Sequence, residues 1–177
     1  TQLGNAFNDI FLDNGGVLRA TTVDNVLGVF NNTATGRQIT IGPGGGTLDF
    51  RVLQAFNGGV SGGGTLTKIG DGIMAVGSAE NPFTGQIIVQ QGILRMNSSQ
   101  WDNAAGIRVL SGATFNIEDD AAGTFSITVG AKYEFAGTGF NAGGAFLQSE
   151  QSANPTFTST INNEVVLNSP AARFTLA

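Results

Sequence analysis

Apolar and polar residues alternate in several short runs along this chain. In each run every second residue is apolar, a period of two that is typical of a β-strand with one buried face. These runs cover residues 38–41, 47–52, 124–129 and 132–135. No stretch shows the 3.6-residue period of an amphipathic helix, so the pattern predicts an all-β protein.

A second pattern, which we call the glycine phrase, is a glycine followed by a pair of residues that favour β-strands. It occurs at Gly16-Val17-Leu18, Gly46-Thr47-Leu48, Gly64-Thr65-Leu66, Gly92-Ile93-Leu94, Gly112-Ala113-Thr114-Phe115 and Gly123-Thr124-Phe125. Several intervals lie near the roughly 20–30 residues of one solenoid coil. Because glycine adopts tight corner conformations without steric penalty, the pattern predicts a stack of β-coils in which equivalent phrases lie in register. The Phe residues are expected to form internal stacks.

A longer stretch of internal sequence similarity supports a repeat. Residues 3–19 resemble residues 100–116: in both, an Asn-rich turn leads to a strand, a glycine turn and a second strand. We therefore expect the two passages to occupy the same position in successive repeat units. A closed β-sandwich is the alternative fold, and it would show antiparallel hairpins instead.

The pattern loosens after about residue 130. Residues 137–144 predict a long turn and residues 148–155 a loop, with strands at 156–161, 164–167 and 173–176. We expect one domain over residues 1–177, with a repeat-like core at 36–129 and looser coils at 130–177. The chain begins without Met and ends on a strand, which suggests a segment of a longer protein.

Residues 36–49 (GRQITIGPGGGTLD) and 63–72 (GGTLTKIGDG) carry a family pattern, which continues through 77–85 and 92–95. This pattern resembles the passenger-associated (autotransporter-associated) β-strand repeat, most densely over residues 36–96 and more loosely over 1–35 and 97–129. Asp71, Met74 and Gln86 depart from it.

The resemblance implies a right-handed parallel β-helix on the surface of a Gram-negative bacterium or a relative. Repeats of this family act as stalks and export aids, and they share no catalytic residue. No catalytic, cofactor-binding or metal-binding residue is therefore assigned, and no cofactor and no enzymatic activity are expected.

Composition narrows the choice of partners. The net charge is −5, with 8 Lys and Arg residues against 13 Asp and Glu residues, so neither nucleic acid nor an anionic membrane is attracted electrostatically. The chain has no His and no Cys, which removes the commonest general base and the thiolate ligands. No apolar run approaches the roughly 20 residues of a membrane-spanning helix.

The acidic cluster Glu118, Asp119 and Asp120 is one candidate for a calcium site, since Ca²⁺ binds carboxylate oxygens. The cluster lacks the spaced Asp or Asn residues and the Gly of a calcium loop, which favours a solvated corner between strands. The segments 13–16 (DNGG) and 70–72 (GDG) are interpreted in the same way, as tight turns.

A polysaccharide-cleaving site would need paired carboxylates, and the candidates are Asp49, Asp71, Glu80 and Glu118. Arg51 lies two residues after Asp49 and would face the same side, so a surface ion pair is the favoured interpretation.

Three further features have a possible functional and a structural interpretation. Trp101 and Tyr133 would suit stacking on a sugar ring, but Trp101 is expected to cover the core at a corner. Residues 42–46 (GPGGG) superficially resemble a phosphate loop, but no Gly-Lys-Ser/Thr and no helix follow. Asn31 and Asn97 begin glycosylation sequons, which matter little in a bacterial setting.

The sequence thus predicts a structural module of an exported bacterial surface protein: a stalk, filament or surface-layer scaffold. Its expected partners are neighbouring repeats or copies of the same protein, joined through open strand edges. An adhesin or glycan-binding module with contact loops in residues 136–155 is the main alternative. A polysaccharide-cleaving β-helix is the third.

Overall fold

The structure is a computed structural model that describes residues 9–21, 38–56, 59–76, 82–96, 101–119, 125–127, 132–150 and 159–176. Within these residues the chain forms eighteen short strands and one 3-10 turn, Phe140–Ala142. The strands are β1 (Ile10–Leu12), β2 (Gly16–Ala20), β3 (Ile39–Ile41), β4 (Gly46–Phe50), β5 (Gln54–Phe56), β6 (Val60–Gly62), β7 (Leu66–Ile69), β8 (Ile73–Val76), β9 (Gln86–Val89), β10 (Gly92–Met96), β11 (Gly106–Val109), β12 (Ala113–Asp119), β13 (Phe125–Ile127), β14 (Tyr133–Phe135), β15 (Phe146–Glu150), β16 (Ser159–Ile161), β17 (Val165–Leu167) and β18 (Phe174–Leu176).

The described strands form four sheets, and every pairing among them is parallel. The orders are β1-β3-β6, β17-β14-β11-β9-β7-β4-β2, β18-β15-β12-β10-β8-β5 and β13-β16. The predicted all-β class with parallel sheets is confirmed, and the arrangement is compatible with a β-helix. The antiparallel hairpins that a β-sandwich requires do not occur among these strands.

The chain visits the sheets in turn, and we call each passage a level. Level 3, for example, consists of β6, β7 and β8, which lie in the three-, seven- and six-stranded sheets respectively. Within the described residues there are seven levels, numbered along the chain: β1–β2, β3–β5, β6–β8, β9–β10, β11–β12, β13–β15 and β16–β18. Successive levels are roughly 20 residues apart in the middle of the chain and farther apart after β12.

The core lies between the sheets, and one hydrophobic cluster draws side chains from all three large sheets. Inward positions stack in columns because the strands pair in register. One column of the seven-stranded sheet is Leu18, Leu48, Lys68, Val89, Val109, Phe135 and Leu167. A column of the six-stranded sheet is Gln54, Met74, Leu94, Phe115, Phe146 and Phe174.

The predicted Phe stacks occur in the later levels. The rings of Phe115 and Phe146 are 6.3 Å apart between centroids, and those of Phe146 and Phe174 are 5.1 Å apart. Phe11 is an exception, since it points outward from β1 and is 64 % exposed.

The predicted register of the glycine phrases is only partly right. Gly16-Val17-Leu18 pairs with Gly46-Thr47-Leu48 as expected, but Gly46 pairs with Leu66, so the Gly64 phrase is offset by two residues. The Gly92 phrase opens a strand of a different sheet. The sheet of the Gly92 phrase is mispredicted because a glycine phrase opens strands of both the seven-stranded and the six-stranded sheet. Gly123 lies outside the described residues.

The proposed equivalence of residues 3–19 and 100–116 is wrong over its described part. Strand β2 belongs to the seven-stranded sheet, whereas the matching strand β12 belongs to the six-stranded sheet. The two passages have the same order of strand, turn and strand, but their strands lie in different sheets.

The predicted loop at 148–155 is also partly wrong. Its first three residues complete β15, which pairs in register with β12, and its remaining residues lie outside the described part. The long turn at 137–144 is confirmed and contains the 3-10 turn.

Candidate functional site

The most unusual side chain of the core is Lys68, a lysine at an inward position of β7. Its neighbours in the column are Leu48 and Val89, and it is 0 % exposed. An ammonium group is rarely buried unless it is paired or fully hydrogen-bonded. Lys68 is therefore the centre of the candidate site.

Three backbone carbonyl groups surround the Lys68 ammonium group. Nζ donates to Ile69 O at 2.9 Å, to Gly70 O at 2.6 Å and to Gln91 O at 3.0 Å. Gln91 belongs to the corner of the next level, and its Oε1 accepts a hydrogen bond from Gly70 N at 3.1 Å. Lys68 thus joins the corner of level 3 to the corner of level 4.

Burial lowers the pKa of Lys68 from 10.5 to about 8, while the nearby charges of Asp49 and Asp71 act in the opposite direction. A protonated lysine has three N–H donors, and all three are committed here to carbonyl oxygens. Nζ consequently offers no lone pair for base or nucleophilic chemistry while it is protonated. The arrangement acts as an internal cation that holds two levels together.

Asp49, on β4, makes a second contact between levels. Its Oδ2 accepts a hydrogen bond at 2.5 Å from Nε of Arg19, which lies opposite it on β2 of level 1. The expected partner, Arg51, is present but more distant, with its Nε 3.5 Å from Asp49 Oδ1. The expected surface pair is wrong in one respect: the Asp49 side chain is 1 % exposed, although the side chains of Arg19 and Arg51 are both 59 % exposed.

Glu134, on β14, makes a third such contact. It lies 3.3 Å from Nε of Arg108 in the preceding level and 3.1 Å from Nζ of Lys132. In the following level, Asn168 Nδ2 donates to it at 3.0 Å. The hydrogen bond from Lys132 lowers the pKa of Glu134, and Arg108 and Asn168 add to this effect.

The acidic cluster contributes one described side chain, Glu118. It forms an ion pair with Arg95 of the preceding level at 2.8 Å. The Asp119 side chain and Asp120 lie outside the described part of the structure. Among the side chains that are described, no group of three or more His, Cys, Asp or Glu residues could hold a metal ion.

The candidate carboxylates for polysaccharide cleavage fall in different places. Asp49 and Asp71 both lie near Lys68, whereas Glu118 is on β12 of the six-stranded sheet. Asp49 and Glu118 are each held by an arginine. Glu80 lies outside the described residues.

Trp101 and Tyr133 do not form a sugar-stacking surface, because both are 0 % exposed. Trp101 packs edge-on against Phe83 with ring centroids 5.9 Å apart, and Tyr133 stacks on Phe135 at 6.0 Å. The expectation that Trp101 covers the core at a corner is confirmed. Burial, with the nearby charge of Asp102, raises the pKa of Tyr133.

The turn predictions are confirmed. Asn14 and Gly15 form the turn between β1 and β2 with positive φ angles. Residues 42–45 form the corner between β3 and β4, where the Gly44 amide donates to Asp13 Oδ1 at 2.6 Å. Both sequon asparagines, Asn31 and Asn97, lie outside the described residues.

The sequence contained one unused signal for Lys68. Leu66 and Lys68 are two residues apart, so the alternation that buries Leu66 also turns Lys68 inward. No comparable signal exists for the pairing of Arg19 with Asp49, because the two residues are 30 positions apart.

No helix in the described part of the chain is long and apolar enough to span a bilayer. Comparison of the chain with protein families, with curated proteins and with solved structures finds no match in any of the three.

Proposed function

We propose that this chain is a segment of a right-handed parallel β-helix and a structural module of an exported bacterial surface protein, serving as a stalk, filament or surface-layer scaffold. The parallel pairing of seven successive levels around one core supports the fold. The resemblance of residues 36–96 to the passenger-associated repeat supports the proposed location on the bacterial surface.

One observation carries the mechanical role: ionisable side chains bind one level to the next. Lys68 joins level 3 to level 4, and Asp49 joins level 2 to level 1. Glu134 forms ion pairs with Arg108 of level 5 and Lys132 of level 6, and it accepts a hydrogen bond from Asn168 of level 7. These contacts add directional bonds to the apolar columns, so a load along the stack is shared between the core and the charged network.

The proposed surface location is tested on cells of the source organism. Antibodies raised against the purified chain should label intact cells, and external protease should remove the signal without lysis. The control is a cytoplasmic protein that stays protected in the same sample. Labelling that appears only after lysis would contradict the surface role, whatever the fold.

An adhesin or glycan-binding module is the second candidate, and one observation favours it. The corner between β14 and β15 runs from Ala136 to Ala145, whereas the corner between β9 and β10 has two residues. Asn141 and Ala142 have φ angles of 50° and 59° and are exposed. Such backbone strain is concentrated at binding sites.

This candidate is tested by replacing residues 137–143 with Ser111-Gly112 of the preceding level, which makes the spacing between Phe135 and Phe146 equal to that between Val109 and Phe115. Binding to a glycan array or to host cells should be lost while the melting temperature stays within a few degrees. If the shortened variant binds as the parent chain does, or if the parent does not bind, the loop has no adhesive role.

A further inference from the structure

The turn between β1 and β2 contains a chemically labile pair of residues, Asn14 followed by Gly15. Asparagine is one of the thermolabile amino acids. The backbone nitrogen of the residue that follows it can attack the side-chain Cγ atom and close a five-membered ring. Glycine in the second position favours this attack, because it has no Cβ atom that would hinder the approach.

The reaction replaces the side-chain amide by a carboxylate. Gly15 N, after losing its proton, forms a bond to Asn14 Cγ. The bond between Cγ and Nδ2 breaks, and Nδ2 takes up a proton and leaves as ammonia. Water then opens the cyclic imide at one of its two carbonyl groups. One product is aspartate. The other is isoaspartate, in which the main chain passes through Cβ and Cγ and is one atom longer.

In the stacked chain the attacking nitrogen is held by the next level. Gly15 N donates to Gly45 O at 3.0 Å, and Gly45 belongs to the corner of level 2. The ring can close only after this amide has lost its proton, which is also what hydrogen exchange requires. Both reactions therefore depend on opening the contact between levels 1 and 2.

Further contacts hold the turn against the corner of level 2. Gly44 N donates to Asp13 Oδ1 at 2.6 Å, and Gly42 N donates to Leu12 O at 2.7 Å. The Asn14 side chain lies directly against Gly44, where an added Cβ atom would be 2.7 Å from Asn14 Oδ1. All of these groups belong to levels 1 and 2, so the contacts do not depend on what precedes level 1.

We propose that Asn14 is a site of spontaneous deamidation that the stacking of level 2 on level 1 keeps closed. While the two levels are stacked, the asparagine is preserved. When they separate, it is converted to aspartate or isoaspartate, and water is the only co-reactant. This inference goes beyond the proposed scaffold role and does not rest on it.

The isoaspartate product prevents the two levels from closing again in register. In the stacked chain Leu12 faces Ile41 and Gly16 faces Gly46. An additional main-chain atom between Leu12 and Gly16 changes the length of the turn, so both pairings cannot be kept at once. Deamidation therefore records that the levels have separated and makes the separation permanent.

The first experiment follows deamidation of the purified full chain in mildly alkaline buffer by peptide mapping and mass spectrometry. Asn14 should deamidate at least about tenfold more slowly in the native chain than in the same chain unfolded by guanidinium chloride, because level 1 must open first. The chain's other Asn-Gly pair, Asn57-Gly58, lies outside the described residues and serves as the reference in denaturant. There the two pairs should react at similar rates.

The second experiment weakens the contact between the levels. Asp13→Ala removes the carboxylate that accepts from Gly44 N, so it should raise the native deamidation rate of Asn14 several-fold without changing the rate in denaturant. Hydrogen exchange of the Gly15 amide should become faster in parallel. Asp71→Ala is the matched control, because Asp71 is an exposed corner aspartate of level 3. It should leave both rates unchanged.

Three outcomes would overturn the proposal. Equal rates in the native and the unfolded parent chain would show that stacking does not protect Asn14, and this comparison needs no variant. No deamidation of Asn14 in denaturant would remove the site. A rate that rises in denaturant as much as in native Asp13→Ala would assign the effect to the neighbouring side chain instead of the level contact. The scaffold role is tested separately, by labelling intact cells.

Discussion

At the residue scale, Lys68 shows how a polar side chain can occupy a core position. Its stem lies in a column of Leu and Val side chains, and its ammonium group reaches three carbonyl oxygens at the corner. The carbonyl groups replace the water that the ammonium loses on burial. The lysine remains tolerable only while all three acceptors stay in place.

Replacing this lysine by a side chain of similar length without donors should destabilise the protein. Lys68→Met leaves three carbonyl oxygens without the ammonium group, and we expect the free energy of unfolding to fall by about 2–4 kcal/mol. Lys132→Met is the control, because Lys132 is the chain's other lysine and its side chain is 50 % exposed; it should change stability by less than about 1 kcal/mol. Urea denaturation measures the free energy of unfolding of both variants. Equal effects would contradict a stabilising role for the three hydrogen bonds of the Lys68 ammonium group.

Stability should also depend on pH through Lys68. Below pH 8 the amine is protonated in both states. Between about pH 8 and 10.4 the unfolded chain still holds a proton that the folded chain has released. Stability should therefore rise with pH there, by at most about 1.4 kcal/mol per pH unit.

The useful interval for this measurement is pH 7.5 to about 9.5. Above about pH 10 the raised pKa of Tyr133 acts in the opposite sense, because the unfolded tyrosine ionises first. The rise should disappear in Lys68→Met. A rise of the same size in that variant would assign the effect to another group.

Tyr133 offers a substitution with the opposite sign. Its hydroxyl is buried and has no hydrogen-bond partner in the described structure, so Tyr133→Phe removes an unsatisfied group and keeps the ring stacked on Phe135. We expect thermal unfolding to show a gain of about 1 kcal/mol or no change. A loss of stability would mean that the hydroxyl is hydrogen-bonded in solution.

At the element scale, the corners between the three-stranded and seven-stranded sheets depend on close backbone contact. Gly42, Gly64 and Gly85 follow one another in three successive levels. A Cβ atom at Gly64 would overlap Gly42 O, and one at Gly85 would overlap Gly64 O. Glycine is required here because the backbones of neighbouring corners lie too close for a side chain.

This packing predicts different results at two adjacent glycines. Gly64→Ala should destabilise the protein by about 2 kcal/mol or more, because backbone must move. At Gly63 a Cβ atom would meet only Thr84 Oγ1 at 3.4 Å, so Gly63→Ala should be neutral or slightly stabilising. Melting temperatures of the two variants decide the matter, and a similar loss at both positions would contradict the close contact.

The strands themselves follow closely from the sequence pattern, but their pairing does not. The alternation at 47–52 and 132–135 overlaps β4 and β14, although β4 ends at Phe50 and β14 begins at Tyr133. The Gly64 phrase, by contrast, is shifted by two residues against the Gly46 phrase. Corner length determines this offset, and alternation within a strand carries no information about it.

At the scale of the whole molecule, stability should decrease from the middle of the described stack toward its last level. Strands β9 and β11 have a paired strand on both sides, whereas β17 and β18 are each paired with one described strand. In a stack of levels, each level is stabilised mainly by its neighbours. The last level should therefore open more often than the middle of the stack.

Hydrogen exchange along the stack tests this gradient. Amides of β17 and β18 should exchange roughly tenfold or more faster than those of β9 and β11. Uniform exchange rates along the stack would mean that the described levels unfold as one unit.

The sequence by itself determined the β-class, many of the strand positions, the glycine corners and the inward face of the regularly alternating strands. These features depend on residues that are neighbours along the chain, and a period of two records them directly. Only the tertiary structure decided which strands pair, how Arg19 reaches Asp49 and how the Gln91 carbonyl group completes the hydrogen bonding of Lys68. These contacts join residues roughly 20–30 positions apart, and the geometry of the intervening corners sets their register.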